Sequence, residues 1–317
     1  MSWKPSNPRL HSEGFEFKGL DRRFAEACER LNVIARSETA IGYAGQSRGA
    51  IVEAEDGSRY WLKLYGTQTA NHPRRLSEIE SDRIVGVPKP RLIRQTEWWG
   101  ENTLWTARLM TLAMPTVAAR PWAGQTAMEL SDDWFGELRA ALASLADQPC
   151  SRNHISRATV RIWLARSYNI HYRFPQDAWQ TSHNDLHWSN LTAPVLNVLD
   201  WEWLGRSPIG FDASMLIAYS CLYDPLVERL ERTFADQFQG TTGWVARLYA
   251  AHITRQAAQQ GWLNPVLIPK LDVMIEKAAL EIRKRTKRSR FWHPGRVVTL
   301  GIAILEKLKR RVVRRPT

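Results

Sequence analysis

The sequence predicts an α+β chain in two parts, a strand-rich first third and a helical remainder. Two observations carry this. Residues 37–65 and 91–110 alternate apolar and polar side chains in short runs bounded by turn residues, which is the period of antiparallel strands. From residue 131 onward the apolar residues recur every three to four positions, the period of amphipathic helices. With 317 residues, 44% hydrophobic and 24% charged, the chain can fill a core in both parts and is not composed like a disordered one.

Taken in order, residues 20–33 place Phe24, Ala27, Cys28 and Leu31 on one face, a packing helix ahead of the sheet. Three strands follow, SETAIGYAG, GAIVEAE and RYWLKLYG, with a turn at residues 46–49 and an Asp56-Gly57 hairpin. Pro73 opens a helix that Gly86 ends. RLIRQ and NTLWTARLM make a second hairpin around Gly100, bringing the strands to five. Ser131 caps the next helix, whose first turn holds Asp132 and Asp133 and whose core stripe is Trp134, Leu138, Leu142 and Leu145. Further helices are expected over 158–172, 213–223, 225–239, 242–260 and 266–285.

Cys28, Cys150 and Cys221 are odd in number and far apart, so reduced thiols in a cytoplasmic setting are expected, with no disulfide framework and no metal-ligand spacing. The opening residues lack an apolar signal core, and the apolar run at 297–305 is too short to span a bilayer. The net charge of +12 is local: residues 277–317 hold 14 Lys or Arg and 2 Glu, leaving 30 charges of each sign elsewhere. This tail predicts either a helix packed on the protein with a solvated basic end, the preferred reading, or a peripheral contact with an anionic membrane surface. Nucleic acid ranks third, because few aromatic residues interleave the basic run.

The stretch from His183 to Glu202, HNDLHWSNLTAPVLNVLDWE, carries the chemistry. Asp185 and Asn190 lie on a polar loop, and the apolar run at 195–199 delivers Asp200 beside them at the end of a hairpin. A carboxylate to orient a hydroxyl and two oxygen ligands for magnesium are what phosphoryl transfer requires. Zinc on His183 and His187 is disfavoured, because no Glu follows the first His and Pro194 precludes a long helix.

These residues resemble the catalytic loop and metal-binding aspartate of the aminoglycoside phosphotransferase and small-molecule kinase family, which is similar to protein kinases in fold. The resemblance implies a two-lobed architecture with a five-stranded antiparallel N-lobe and a mostly helical C-lobe. Residues 1–36 would be an extension with a packing helix, 37–112 the nucleotide-binding lobe, and 113–317 the catalytic lobe with its basic tail. It implies Asp185 as catalytic base, Asn190 and Asp200 as magnesium ligands and His183 as a buttress of the loop. Asn184 stands where the family usually has Gly, and Asn is among the few other residues that accept positive φ. GRSPIGFDASML resembles the family segment ending in a buried aspartate, which implies a structural role for Asp212 in capping the next helix and bracing the loop.

By the same resemblance Lys63 grips the nucleotide phosphates, with Glu78 or Glu80 as its acidic partner, Glu78 being better placed. Ser47 and Arg48, in the turn at 46–49 with Gly45, are expected to cover the phosphates, although the spacing GxGxxG is missing. Residues 110–115 would be the hinge that meets adenine. The implied reaction moves the γ-phosphoryl group of ATP or GTP, with Mg2+, to a hydroxyl of an antibiotic, nucleoside, sugar or amino alcohol. Trp188 is expected to stack on a ring-bearing acceptor, and Glu202, Asp132 and Asp133 to serve a cationic one. Two alternatives stay open: a membrane-associated kinase of a glycolipid or lipid-linked sugar, and a non-catalytic nucleotide-binding module.

Overall fold

The computed structural model describes residues 19–42 and 46–291, the last four of them by backbone alone. Its first part is an antiparallel sheet of β1 (Val33–Ala35), β2 (Ala40–Ile41), β3 (Ser47–Ala54), β4 (Arg59–Thr67), β5 (Leu92–Gly100) and β6 (Thr103–Thr111). The order is β1-β3-β4-β6-β5, with β2 also on β3. Val33 faces Ala54 and Ile41 faces Arg48, so β1 and β2 are two pieces of one interrupted edge strand. The five expected strand positions are present, the first of them broken.

The sheet begins at Val33, ahead of the expected start at residue 37, because α1 (Leu20–Leu31) ends early. Asn32 takes φ 52 and its N–H bonds back to the carbonyls of Cys28 and Glu29, a left-handed cap that turns the chain directly into β1. Phe24, Ala27 and Leu31 of α1 join Val52, Leu62, Leu64, Trp105 and Leu109 in the core of this lobe. The β5–β6 turn uses Glu101 and Asn102 at φ 53 and 61, so Gly100 remains in the strand. Between β4 and β5 lies α2 (Pro73–Ser81), opened by proline and by His72, whose Nδ1 accepts the Arg74 N–H at 3.3 Å.

The second part is helical: α3 (Gln125–Glu129), α4 (Asp132–Ala146), α5 (Arg157–Tyr168), α6 (Phe211–Tyr219), α7 (Asp224–Thr233), α8 (Thr241–Gln259) and α9 (Ile268–Phe291). Ser131 caps α4 by accepting the Trp134 N–H at 3.2 Å. All nine residues of α6 are buried, as befits a central helix that is apolar all round, and α4, α5 and α8 pack into the same core. A two-stranded ribbon, β7 (Trp179–Ser182) with β8 (Gly205–Pro208), leads into and out of the segment from His183 to Leu204. No helix of the described residues is long and apolar enough to cross a membrane. Gly45 and the tail stripe expected from Val297 to Val312 lie outside the described residues.

Candidate active site

The polar loop that follows β7 is held from below by α6. The Asp212 carboxylate accepts the backbone N–H groups of His183 and Asn184, both at 2.8 Å. Asp212 sits inside the first turn of α6 and does not cap it; Gly210, at φ 83, occupies the cap. Burial pushes the Asp212 carboxyl above the usual carboxylate range, even against His183 and the two N–H bonds. Asn184 takes φ 67, as its tolerance for the left-handed region allows, and its Nδ2 lies 2.9–3.1 Å from the carbonyls of Ser182, Trp203 and Gly205. A glycine there would tie the loop to neither the Trp203 segment nor β8.

His183 Nε2 is 2.8 Å from the Leu199 carbonyl, and its ring meets Trp201 edge-on at 5.0 Å. The apolar run at 195–199 does not form a regular strand. Thr192 N–H bonds Asn197, Leu191 bridges Val198, and Leu199 N–H bonds the Asn190 carbonyl at 2.8 Å, so a tight irregular hairpin brings Asp200 beside Asn190. Asp200 itself takes φ 61.

From the sheet side, Lys63 on β4 reaches this hairpin. Its Nζ is 2.6 Å from Glu78 Oε1, 2.6 Å from Asp200 Oδ1 and 3.8 Å from Glu202. Burial opposes the ammonium charge, but Asp200, Glu78 and Glu202 outweigh it and raise its pKa above that of an ordinary lysine. Burial likewise opposes ionisation of Asp200, and Lys63 and Arg74 prevail, holding that carboxyl well below the usual range. Glu202 is pushed the other way by burial and by the neighbouring Asp200, although Arg74 opposes the shift.

Two arginines of this network carry no obvious sequence signal. Arg74 of α2 pairs with Glu202 at 2.5 Å and lies 5.0 Å over the Tyr65 ring. Arg108 of β6, only 2% exposed, meets Glu78 at 3.6 Å and Asp82 at 2.6 Å. The spacing of Arg74 and Glu78, four apart on one helix, is the one hint that both face the same cleft.

Several expectations are corrected. Glu80 does not reach Lys63: it points toward residues 151 and 152, accepting the Ser151 N–H and lying 3.9 Å from Arg152. Ser47 and Arg48 stand on β3, not in a turn, and Arg48 pairs with Asp21 of α1. Gly49, paired with Lys63, lies so close to the Trp61 ring that no side chain fits there. Trp188 offers no face to an acceptor. A single 3-10 turn, Trp188–Asn190, sends its indole into the core, where it stacks on Trp134 at 6.2 Å and donates to Ser220 Oγ at 2.9 Å. Glu202 faces Lys63 and Arg74, within the ion-pair network, and Asp132 pairs with Arg229 of α7.

The segment before α3 was not singled out by its sequence, yet it borders the loop. Val117 N–H bonds Leu191, the Pro121 carbonyl accepts the Trp188 N–H, and Ala123 N–H bonds Tyr219 at the end of α6. Tyr219 in turn meets the His187 ring edge-on at 5.6 Å. Residues 117–123 thus run between the loop and α6.

The donors available to a cation are oxygens. One carboxylate oxygen each from Glu78, Asp200 and Glu202 lies within 4.8 Å of the others, but the Lys63 ammonium, 2.6 Å from Glu78 and from Asp200, is the cation they already meet. Asn190 turns its amide nitrogen toward the Asp185 carbonyl at 2.9 Å, which leaves its oxygen on the opposite branch. A carboxylate and an amide oxygen, as on Asp200 and Asn190, suit a hard cation that keeps phosphate and water ligands, such as Mg2+, better than a soft metal.

A strand-borne lysine paired to a helix glutamate and to an aspartate beyond a polar loop defines a two-lobed, protein-kinase-like architecture. Solved structures share it. Amicoumacin kinase hAmiN, solved with AMP-PNP, Ca2+ and Ami, matches 84% of this chain over 93% of its own at 13% identity, TM-score 0.53. Aminoglycoside phosphotransferase APH(4)-Ia matches 82% over 97% of its own at 11% identity, TM-score 0.54. A thermostable variant of that enzyme, in ternary complex with AMP-PNP and hygromycin B, matches 83% over 98% at 10% identity, TM-score 0.52. At these identities the likeness establishes the fold. No family model and no curated protein matches the sequence.

Proposed function

We propose that the protein transfers the γ-phosphoryl group of ATP or GTP to a hydroxyl of a small molecule. The observation that carries this is the convergence of Lys63 and Asp200, 137 residues apart, at 2.6 Å, with Glu78 completing the pair and Asp185 and Asn190 on the adjoining loop. A purely structural ion pair would not need a strained Asp200 at φ 61 or a loop braced by a buried carboxylate.

In this reading Asp185 orients the acceptor hydroxyl and takes its proton as the new P–O bond forms. Lys63 holds the phosphates, and Glu78 and Arg108 keep the lysine aimed. Asn190 and Asp200 would hold magnesium, which supplies neutralisation of the phosphate charge. Positioning and charge, rather than covalent chemistry, do most of the catalysis. That the similar kinases were solved with nucleotide, a divalent cation and antibiotics supports the class of reaction and a small-molecule acceptor.

The test is mass spectrometry of antibiotics, sugars, nucleosides and amino alcohols incubated with protein, Mg2+ and ATP or GTP, beside Asp185→Ala. One acceptor gaining a single phosphoryl group with the wild type alone is the expected result. Equal phosphorylation by Asp185→Ala overturns the assignment.

A further inference from the structure

The loop contains a histidine that the scheme above does not use. His187 lies two residues beyond Asp185, its side chain 13% exposed, with Nε2 at 3.8 Å from Asp185 Oδ1, too far for a hydrogen bond. Its closer partners are Asn190 Nδ2, 3.2 Å from Nε2, and Ser189 Oγ, 3.0 Å from Nδ1.

The hydrogen-bond inventory decides what these contacts mean. The Asn190 amide faces the Asp185 carbonyl at 2.9 Å, and a carbonyl can only accept, so the nitrogen of the amide must be on that side. That nitrogen carries two protons. One goes to the carbonyl and the other points at His187 Nε2, which must therefore be the bare nitrogen of the ring. The ring proton then resides on Nδ1, where Ser189 Oγ accepts it. The opposite tautomer would set an N–H of the ring against an N–H of the amide.

We infer that His187, in its Nδ1–H form, is a positioning residue that fixes the Asn190 amide so that its oxygen is presented to the metal. The inference rests on the phosphotransferase reading, in which Asn190 is a metal ligand. Tyr219, edge-on to the ring, holds the imidazole in the plane this contact needs. Groups that orient a ligand from behind typically change metal affinity by about 10- to 100-fold when removed.

The two nitrogens can be replaced separately. In His187→Gln the side-chain oxygen reaches the place of Nε2 and can still accept from Asn190; in His187→Asn it reaches only the place of Nδ1. The measurement is Mn2+ binding by the full chain in the presence of AMP-PNP, read from the paramagnetic resonance of free Mn2+, with thermal melting in parallel. The glutamine variant should bind Mn2+ within about threefold of wild type, and the asparagine variant about tenfold more weakly or worse. Equal affinity of wild type and His187→Asn, or equal weakness of both variants, overturns the inference while leaving the phosphotransferase reading intact. If the wild type shows no Mn2+ binding that depends on AMP-PNP, the reading and the inference fall together. Should His187→Asn not melt cooperatively, Ser189→Ala carries the test. It removes the acceptor of the Nδ1 proton, so affinity should drop by about two- to tenfold, and no change overturns the inference.

Discussion

On the sheet side of the site, Lys63, Arg74 and Arg108 form ion pairs with Glu78, Asp82 and Glu202, whereas on the helical side the loop from His183 to Asn190 is held by hydrogen bonds between backbone groups and buried side chains, without a cation. The ionic wall is redundant. Lys63 has two carboxylates at 2.6 Å, and Glu78 has both a lysine and an arginine. The loop has more ties, among them Asn184 Nδ2 and His183 Nε2, but its two buried N–H groups at His183 and Asn184 share one acceptor, the Asp212 carboxylate, and the Asn190 amide alone bonds the Asp185 carbonyl. Charge is therefore supplied by a network that tolerates the loss of a member, and geometry by single bonds that do not.

The contrast breaks most readily at Asp185. Its replacement by Ala should lower turnover by about 10²- to 10⁴-fold while leaving the melting temperature and nucleotide affinity near those of wild type, as steady-state and binding measurements on one preparation would show. Next comes the brace. Asp212→Ala strands two buried N–H groups, each costing about 1–3 kcal/mol, so urea unfolding should report a loss of several kcal/mol, and Asp212→Asn, which keeps one acceptor, a smaller one. An Asp212→Ala protein as stable as wild type would contradict the view of the loop as held by single bonds.

On the ionic wall the effects should be smaller. Glu78→Gln removes one of the two close carboxylates of Lys63, and nucleotide binding should weaken by about tenfold, the loss of one charge-assisted bond. Glu80→Gln should move it by less than about twofold, because Glu80 faces residues 151 and 152. Equal effects of the two substitutions would contradict the choice of Glu78 over Glu80 as the partner of Lys63. The smallest effect concerns pH. The folded state lowers the Asp200 pKa, so the stability it contributes is present above the ordinary aspartate value of about 3.9 and is lost as the pH falls from there through the folded value. The stability difference between wild type and Asp200→Asn should accordingly shrink in acid and stay constant near neutrality. Asp212, raised in the fold by burial, is common to both proteins and cancels in the difference, whereas Glu202, raised by burial and in part by Asp200, should be raised less in Asp200→Asn.

How much of this could be read in the sequence follows from how local each feature is. The residues of the loop sit within one short stretch, so Asp185, Asn190 and Asp200 could be singled out from their types and spacing, and the Asn184 backbone angle followed from its side chain. Lys63 was legible because the strands before it were. Arg74 and Arg108 were not, since a charged residue on a helix or strand looks like a solvated one until the fold places a carboxylate beside it. Arg108 alternates with Ala107 and Leu109, whose side chains take the other face of the sheet, so the strand pattern alone reads it as an outward residue. Trp188 misled for the converse reason. Adjacency to Asp185 along the chain says nothing about direction, and one tight turn was enough to bury the ring. The place of Ser47 and Arg48 depended on their pairing with Tyr65 and Leu64 of β4, a pairing no local pattern encodes.

The central claim is that nucleotide capture and phosphoryl transfer belong to different aspartates. Calorimetric titration of AMP-PNP, with and without Mg2+, into wild type, Asp185→Ala and Asp200→Ala tests it most directly. The account predicts Mg2+-dependent binding by wild type and Asp185→Ala alike and its loss in Asp200→Ala. Binding by Asp200→Ala that still strengthens with Mg2+ as in wild type would contradict it.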